Sequence, residues 1–396
     1  MSFLKKLQGI AKQDYNSYLE KAQANGQKII GYFCSYIPEE IFHAAGFIPY
    51  RIRAVGSQGT SKGDIYFSSL NCTFVRHTFD KMLRGKFDFL DGIVFMNGCD
   101  HTRRLYDNWR YSEIAPDKYK YMFFAPHVIS PSSEEKMADE IKLLIESLEK
   151  NFKVQISPAT LKKSISLYNQ KRDLLTKLYD LRKNKDIPLK GSEVLAIMLA
   201  VVILPVEITI NFLQDILEEV KGRKVNKDND LRIFLTSGCC EEVEHLELIE
   251  ESGSIIVNDN ICLGAKNFDT LVDESLDPIV ALAQRYINHL SCPRMMNDVK
   301  GRLDNLYKIK EDYKIEAIIA EKLKFCDLWG GELFIYRQEA KKNKFPLLVL
   351  ERELYGGATG QLKTRIQAFF EKVKNNQTIG DNFIRTSGDN YQFSSK

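Results

Sequence analysis

The residues best suited to chemistry in this 396-residue sequence are its eight cysteines. They lie far apart along the chain, and no two of them form a C-x-x-C pair. This spacing disfavours a zinc knuckle, a thioredoxin-like redox pair and a ferredoxin-type ligand run. A shared metal would need thiols that the fold brings together from distant segments. The cysteines are Cys34, Cys72, Cys99, Cys239, Cys240, Cys262, Cys292 and Cys326.

Charge and hydropathy patterning indicate the compartment and the partners that these thiols meet. Basic and acidic residues number 56 and 53, for a net charge of +3, so we expect no nucleic-acid partner. The first residues lack the apolar core and cleavage site of a signal peptide, and we expect no membrane association. The apolar run 194–206 is short and interrupted by Pro205, which predicts a buried helix. We therefore expect a cytoplasmic protein whose reduced thiols serve metal binding, redox chemistry or burial.

Apolar, strand-like segments alternate with helical segments in two parts of the chain. This order predicts an α/β protein with two Rossmann-like, doubly wound domains, each built on a parallel sheet. We place the N-terminal domain at residues 1–131 and the C-terminal domain at residues 230–396. Residues 132–229 are predicted to form a helical linking section, because their long charged stretches contain few β-branched clusters. We also expect one helix over residues 2–25 and another that begins at Cys292.

The cysteines occupy particular places in these predicted elements. Six come where a strand ends, and Cys72 and Cys292 come at helix starts, where the helix dipole favours a thiolate. Because ligands of parallel sheets collect beyond the carboxyl ends of the strands, we expect the thiols to converge on one cleft if the two domains face each other edge to edge. Matching the halves by position pairs Cys34 with Cys239 or Cys240, Cys72 with Cys292, and Cys99 with Cys326, and leaves Cys262 outside the pattern.

Three kinds of role remain open for these thiols. Burial as a small apolar side chain explains any single cysteine, and a Cys–His nucleophile would explain only one. The chain has six histidines, of which only His101 lies within two residues of a cysteine. Soft thiolates without neighbouring histidines favour an iron–sulfur cluster over a hard, oxygen-loving ion.

Two glutamates and a histidine near Cys34 are candidates for proton transfer. Glu39 and Glu40 follow Pro38 in the first turn of a predicted helix, and His43 comes one turn later. The helix dipole alone favours carboxylates there, and a core histidine is a common finding. Since a reduction consumes protons as well as electrons, the catalytic interpretation makes Glu39, Glu40 or His43 a proton donor or relay.

The segment after Cys99 carries the other candidates. Asp100, His101 and Arg103 are predicted to form hydrogen bonds around an anionic cofactor and to compensate its charge, and a surface location is the alternative for Arg103 and Arg104. No G-x-x-x-x-G-K-[ST] phosphate loop occurs in the sequence. If ATP drives the chemistry, its hydrolysis must take place on a partner protein.

Several blocks of the sequence together resemble a known family. The blocks are "GYFCSYIPEEIFHAAGFIPYRI" (31–52), "NGCDHTRR" (97–104), "VNDNICLGAK" (257–266), "INHLSCPRMM" (287–296), "KFCDLWGGE" (324–332) and "GQLKTRIQAFFE" (360–371). Together they resemble the 2-hydroxyacyl-CoA dehydratase and benzoyl-CoA reductase family, which also contains the double-cubane cluster proteins. The likeness covers most of the chain in the same order.

The resemblance implies an iron–sulfur cluster between two Rossmann-like domains. In the dehydratases each cluster-bearing subunit holds one [4Fe-4S] cubane through three cysteines, and by position these are similar to Cys72, Cys99 and Cys326. A double-cubane [8Fe-9S] cluster needs six thiolates, which the three-plus-three matching supplies. The ligands expected on that basis are Cys34, Cys72, Cys99, Cys239, Cys292 and Cys326, with Cys240 or Cys262 as a replacement for one of them.

The function that the resemblance implies most directly is a double-cubane reductase component. It would receive low-potential electrons from a separate ATP-hydrolysing iron–sulfur reductase and reduce a small substrate. One alternative is a subunit of a 2-hydroxyacyl-CoA dehydratase or benzoyl-CoA reductase, with a single [4Fe-4S] cubane and an acyl-CoA substrate. Another is a non-catalytic binding protein of the same fold without metal. A homodimer and a heterodimer with a related subunit both fit.

Overall fold

The computed structural model describes residues 2–112, 114–356 and 359–375, and it contains two four-stranded parallel sheets. The first sheet has the strand order β2-β1-β3-β4, and the second has the order β6-β5-β7-β8. The prediction of an α/β protein with two Rossmann-like halves is confirmed. The strands are β1 (Ile29–Tyr32), β2 (Ile48–Arg51), β3 (Gly92–Met96), β4 (Tyr119–Phe123), β5 (Leu231–Thr236), β6 (Ser254–Asn260), β7 (Ala317–Leu323) and β8 (Leu347–Arg352).

The helices fall into three groups along the chain. With the first sheet come α1 (Phe3–Ala11), α2 (Ser17–Ala24), α3 (Glu39–Ala44), α4 (Thr73–Leu83) and α5 (Asp100–Tyr111). Between the sheets come α6 (Pro131–Phe152), α7 (Pro158–Asp180), α8 (Gly191–Val201) and α9 (Val206–Glu219). With the second sheet come α10 (Val243–Glu251), α11 (Pro278–Asn288), α12 (Val299–Asp312), α13 (Asp327–Asn343) and α14 (Thr359–Lys374).

Each sheet has one place where the strand order reverses direction. The first strand of each sheet pairs with the second on one side and with the third on the other, so the reversal lies between β1 and β3 and between β5 and β7. In open parallel sheets, ligands bind in the crevice beyond the carboxyl ends of the strands at this switch point. Cys34 and Cys99 follow β1 and β3, and Cys239 and Cys326 follow β5 and β7. The fold therefore places four cysteines at the two switch points.

The helices between the sheets share the core of both halves. Helix α8, apolar and buried along nearly its whole length, packs against α1 and also against α10 and β6. One continuous apolar core includes side chains from β1, α8 and β5. The division at residues 131 and 229 stays a prediction, and residues 376–396 of the predicted C-terminal domain lie outside the described part of the chain. Within the described residues, no helix is both long and apolar enough to cross a membrane.

Two predicted helices differ in the structure. Residues 2–25 form two helices, because the Asn16 side chain accepts hydrogen bonds from the N–H groups of Tyr18 and Leu19 and so caps a new helix. The helix expected at Cys292 begins only at Val299. Cys292 lies in a loop of short turns, in which its carbonyl accepts a hydrogen bond from the Met295 N–H at 2.9 Å and the Arg302 side chain donates to the carbonyls of Cys292 and Met295.

Candidate metal centre

Three cysteines stand at the N-terminal ends of helices. Cys72, Cys99 and Cys326 are the N-cap residues of α4, α5 and α13. There the free N–H groups and the helix dipole favour a thiolate, although burial acts more strongly in the opposite direction. Burial raises the pKa of Cys72 to about 12, and it also raises the pKa of Cys99 and Cys326. Without a metal ion these thiols keep their protons, so metal binding must displace them.

His101 connects the segments that carry these three cysteines. Its Nδ1 lies 3.0 Å from Asn71 Oδ1, next to Cys72, and its Nε2 lies 2.8 Å from the carbonyl oxygen of Phe325, next to Cys326. Phe325 has a φ of 63°, a left-handed conformation that turns its carbonyl towards the ring. His101 itself follows Cys99 by two residues. A single imidazole therefore holds the loops of all three thiols, across both halves of the molecule.

Four further cysteines form a second group in the same cleft. Cys34, Cys239 and Cys262 follow the carboxyl ends of β1, β5 and β6, and Cys292 lies in the loop between α11 and α12. The Cys239 and Cys262 side chains are neighbours, and their interaction lowers the pKa of Cys262 and raises the pKa of Cys239. Cys34 has a φ of 75°, where a non-glycine residue is strained by ~1–2 kcal/mol. A thiol kept at a strained position is typical of a functional site.

The two thiol groups face each other. Negative charge on a thiol of one group raises the pKa of a thiol in the other group. Cys72 interacts in this way with Cys262 and Cys239, Cys99 with Cys34, and Cys326 with Cys292. Burial raises the pKa of Cys292 to about 11, and repulsion from Cys262 and Cys34 within the second group adds to this. All eight cysteines are free thiols. The structure thus brings seven of them to one cleft, in a group of three and a group of four.

Cys240 does not join them. It is fully buried, and its thiol faces Arg352, Glu321 and Glu242 on the other side of the segment. Neighbouring residues of an extended segment point in opposite directions, so only one of Cys239 and Cys240 can face the cleft. Cys239 is that residue, as in the predicted ligand set.

The donor set of the cleft fits an iron–sulfur cluster. Soft thiolates from several loops are the ligands of such clusters, whereas a single ion needs a tighter group. Within the described ranges, no three His, Cys, Asp or Glu side chains lie close enough to hold one ion. A cubane spaces its ligands further apart, because its own irons and sulfides lie between the thiolates. Two buried cations beside the second group, Lys266 and Arg51, favour an anionic occupant, since each has a nitrogen without a hydrogen-bond partner.

Glu39 and Glu40 lie in a buried network that joins α3 to α7 and α11. The Glu39 carboxylate accepts hydrogen bonds from Tyr32 and Lys171, both at 2.6 Å. Burial opposes its ionisation, but the Lys171 ammonium outweighs burial and lowers the pKa of Glu39. Glu40 is ion-paired with Arg172 and accepts a hydrogen bond from Tyr286 at 2.8 Å. These pairs give both carboxylates a structural task, and their role as proton donors stays a prediction.

His43 lies on α3, the helix that also carries Glu39 and Glu40. Its Nδ1 lies 3.0 Å from Ser164 Oγ on α7, and its Nε2 lies 3.1 Å from Glu207 Oε1 on α9. Both ring nitrogens are thus engaged by the helices between the sheets. The structure places His43 at this helix junction, and its predicted relay role stays a prediction.

The charged residues after Cys99 differ in exposure. Asp100 and Arg103 form an ion pair whose side chains are mostly exposed, and Arg104 pairs with Asp107 in the same way. His101 is the enclosed member of this segment, with a side-chain exposure of 15%. The structure therefore brings His101 to the thiols and leaves Asp100 and Arg103 at the surface beside them.

Sequence reasoning did not single out Lys266 or Glu241, and it kept Cys262 only as a replacement ligand. Cys262 lay outside the matching of the two halves, although its place after a predicted strand was a usable signal. Lys266 is fully buried beside the thiols, and no spacing rule would have indicated that. Glu241 is also buried; its carboxylate accepts a hydrogen bond from the Ala54 N–H at 2.7 Å, and burial raises its pKa to about 7.

Comparisons with known proteins show which family the chain is similar to. A family model described as 2-hydroxyglutaryl-CoA dehydratase, D-component, matches residues 34–373. One of the benzoyl-CoA reductase subunits of Thauera aromatica is 26% identical over 88% of this chain and 91% of its own length. The (R)-phenyllactyl-CoA dehydratase beta subunit of Clostridium sporogenes is 22% identical over 94% of this chain and 98% of its own. The beta subunit of (R)-2-hydroxyglutaryl-CoA dehydratase from Acidaminococcus fermentans is 21% identical over 90% and 95%.

Proposed function

The chain belongs to the family of the 2-hydroxyglutaryl-CoA dehydratase D-component, and from this premise we propose that it is a reductase component holding a double-cubane iron–sulfur cluster. The observation that carries the proposal is the meeting of seven thiols in one cleft. A single cubane uses about four ligands at most, which would leave three buried thiols without a task. A double cubane uses six, so the groups of three and four suffice.

The proposed ligands divide between the two groups. Cys72, Cys99 and Cys326 would hold one cubane, and three of Cys34, Cys239, Cys262 and Cys292 would hold the other. Bound there, the cluster would supply low-potential electrons for the reduction of a small substrate. The protein would contribute ligation and a buried, mostly apolar setting, and His101 would keep the three loops of the first group in register.

The electrons would come from a separate ATP-hydrolysing iron–sulfur reductase. The sequence has no phosphate loop of its own, so the hydrolysis that drives the transfer belongs to that partner. The predicted proton donors, Glu39, Glu40 and His43, would act from the network behind Cys34.

Iron and sulfide counts on anaerobically purified protein test the proposal. About eight irons per chain supports a double cubane, and about four indicates a single cubane. A protein that carries no iron after anaerobic reconstitution with iron and sulfide would be the metal-free binding protein, and both cluster hypotheses would then be wrong.

The second candidate is a subunit of a 2-hydroxyacyl-CoA dehydratase or benzoyl-CoA reductase. It is favoured by the relatives, whose names are those of such subunits and which match over more than nine-tenths of their length. In that case the chain would assemble with a related subunit and act on an acyl-CoA thioester. Binding of an acyl-CoA by the reconstituted protein, together with about four irons per chain, would favour this candidate over the first.

A further inference from the structure

Lys266 is a buried cation without a partner. Its side chain is fully inaccessible, and its Nζ makes no hydrogen bond. The ammonium lies over the ring of Trp329, 4.9 Å from the ring centre. A cation–π contact offsets only a fraction of what the burial of an unpaired ammonium costs. The ring alone therefore does not explain why Lys266 is buried there.

The turn that carries Lys266 is fixed by side-chain hydrogen bonds. It lies in the short turn 265–267 that follows Cys262. The Asn267 side-chain amide donates to the carbonyls of Cys262 and Gly264, both at 3.0 Å, and so closes the turn. The carboxylate that organises this turn, Asp259, accepts from the Ala265 N–H and from Tyr179, and no bond joins it to Lys266. The compensating negative charge must come from elsewhere.

The thiols of the second group are the groups that Lys266 faces. Lys266 lies in the turn 265–267, which Asn267 ties to the Cys262 carbonyl at 3.0 Å. Its charge acts on the Cys262 and Cys292 side chains, and the Arg51 charge also acts on Cys262. The first thiol group differs: Arg103 near Cys99 is paired with Asp100, and Arg76 near Cys72 is paired with Asp64. The uncompensated positive charge of the cleft is therefore concentrated beside the second group.

We propose that the Lys266 ammonium balances the negative charge of the cubane bound by the second thiol group, and that it makes this cubane easier to reduce than the one bound by Cys72, Cys99 and Cys326. This inference rests on the proposed double cubane. Each electron added to a cluster makes it more negative, so a fixed cation nearby raises the reduction potential. Electrons delivered to the molecule would then reside on the cubane of the second group, because the Lys266 charge stabilises its reduced form.

Two substitutions test the charge of Lys266. Lys266→Met removes the charge and keeps the length of the side chain, and Lys266→Arg keeps the charge. Redox titration followed by electron paramagnetic resonance should show one midpoint potential shifted downward in Lys266→Met and the other unchanged. Lys266→Arg should retain both wild-type potentials. Lys221→Met, which removes an exposed charge paired with Glu218, is the matched control and should shift neither.

Each other outcome has a defined meaning. If Lys266→Met binds about eight irons and both potentials equal those of the wild type, the inference is wrong while the double cubane stands. If azide binding, as a probe for a small anion, is lost in that variant with unchanged potentials, Lys266 serves a substrate and the inference is again wrong. If Lys266→Met binds no iron and Lys266→Arg does, the need for the charge is supported. If neither binds iron, side-chain shape decides and the inference is wrong. Absence of iron from the wild type contradicts the proposed function itself.

Discussion

The two sheets of this protein have the same strand order and yet contribute differently to the cleft. Cys34 after β1 matches Cys239 after β5, and Cys99 after β3 matches Cys326 after β7. The last two are the more alike, because both are N-cap residues of the helix that follows the third strand. The repeated topology therefore delivers a thiol to the same point of each half.

The halves diverge at their second strands. Two residues beyond β6 the C-terminal half has Cys262, whereas two residues beyond β2 the N-terminal half has Arg53. The Arg53 guanidinium turns away from the cleft and donates to the carbonyls of Ala11, Gln13 and Leu199. The N-terminal half thus supplies three cleft thiols and the C-terminal half supplies four.

The loops before the third strands also differ. Cys72 is an N-cap residue of α4, whereas Cys292 is held in a loop by Arg302. The sheets therefore set where the thiols meet, and individual loops set how many thiols there are. Four experiments test this difference between the halves.

The largest effect is expected for the most closely matched pair. Cys99→Ala and Cys326→Ala should each remove the cubane that Cys72 shares with them, lowering the iron content from about eight per chain to about four or fewer. The measurement is iron and sulfide analysis after anaerobic purification. Cys240→Ala is the control and should keep the wild-type content, because its thiol faces away from the cleft. A loss of iron in only one of the two variants would show that Cys99 and Cys326 do not have equivalent roles.

The loop of Cys292 depends on a buried ion pair that Cys72 lacks. Arg302 bonds Glu332 at 2.7 and 2.9 Å and the Met295 carbonyl at 3.0 Å. Arg302→Met leaves the Glu332 carboxylate buried and unpaired, so the free energy of unfolding in urea should fall by about 3–5 kcal/mol. The double variant Arg302→Met/Glu332→Leu should recover most of this loss. A decrease smaller than about 1 kcal/mol in the single variant would contradict the role of the pair.

The third strands of the two sheets, β3 and β7, differ in one buried carboxyl group, which should make stability depend on pH in the acid range. Five residues before the matched cysteines, β3 has Val94 and β7 has Glu321. Burial opposes the ionisation of Glu321, but His245 Nε2 at 2.7 Å and Arg352 Nε at 3.1 Å outweigh it and lower its pKa to about 2. Cys240 and Glu242 are the other titratable groups at this position.

The sign of the pH effect follows from that pKa. The unfolded carboxyl group binds its proton near its ordinary pKa of 4.5, before the folded one does. The stabilisation is therefore fully present above that pH and is lost as the pH falls towards about 2; it amounts to about 3 kcal/mol. The measured quantity is the difference in free energy of unfolding between wild type and Glu321→Gln across this range. A difference that stays constant with pH would show that Glu321 is not held ionised.

The smallest effect concerns the matched pair Cys34 and Cys239. Cys34 has a φ of 75°, and Cys239 is not among the residues with positive φ. In metal-free protein, Cys34→Gly should be about 1 kcal/mol more stable than Cys34→Ala, because only glycine adopts that φ without strain. At Cys239 the order should reverse by about the same amount. Urea unfolding of the four variants checks this, and equal stability of the two Cys34 variants would refute the assigned strain.

Much of the fold could be predicted from the sequence. Apolar strand segments alternating with helical ones predict parallel sheets, because a parallel strand pair needs a crossover and its strands are buried on both faces. The positions of Cys99 and Cys326 at strand ends followed from the same pattern. The break at Asn16 was missed, because its capping hydrogen bonds outweigh a continuous helical periodicity.

Such patterns could not predict which of two adjacent residues faces the cleft or how a loop is held. Sequence alone left Cys239 and Cys240 as alternatives, and only the course of the chain after β5 turns one to the cleft and the other to Arg352. Cys292 was expected at a helix start, but the Arg302 side chain takes the carbonyls of its loop. The partners of Glu39 and Glu40, Lys171 and Arg172, are 132 residues away along the chain.

By itself, then, the sequence determined the two parallel sheets, the strand ends that carry thiols and the kinds of ligand available. The tertiary structure alone decided that seven thiols share one cleft, that Cys262 is among them and that Lys266 is buried beside it without a partner. The physical reason is the separation along the chain over which each interaction acts. Periodicity and capping act within a few residues, whereas ligation, ion pairing and burial depend on segments that meet only after the two halves pack on their common core.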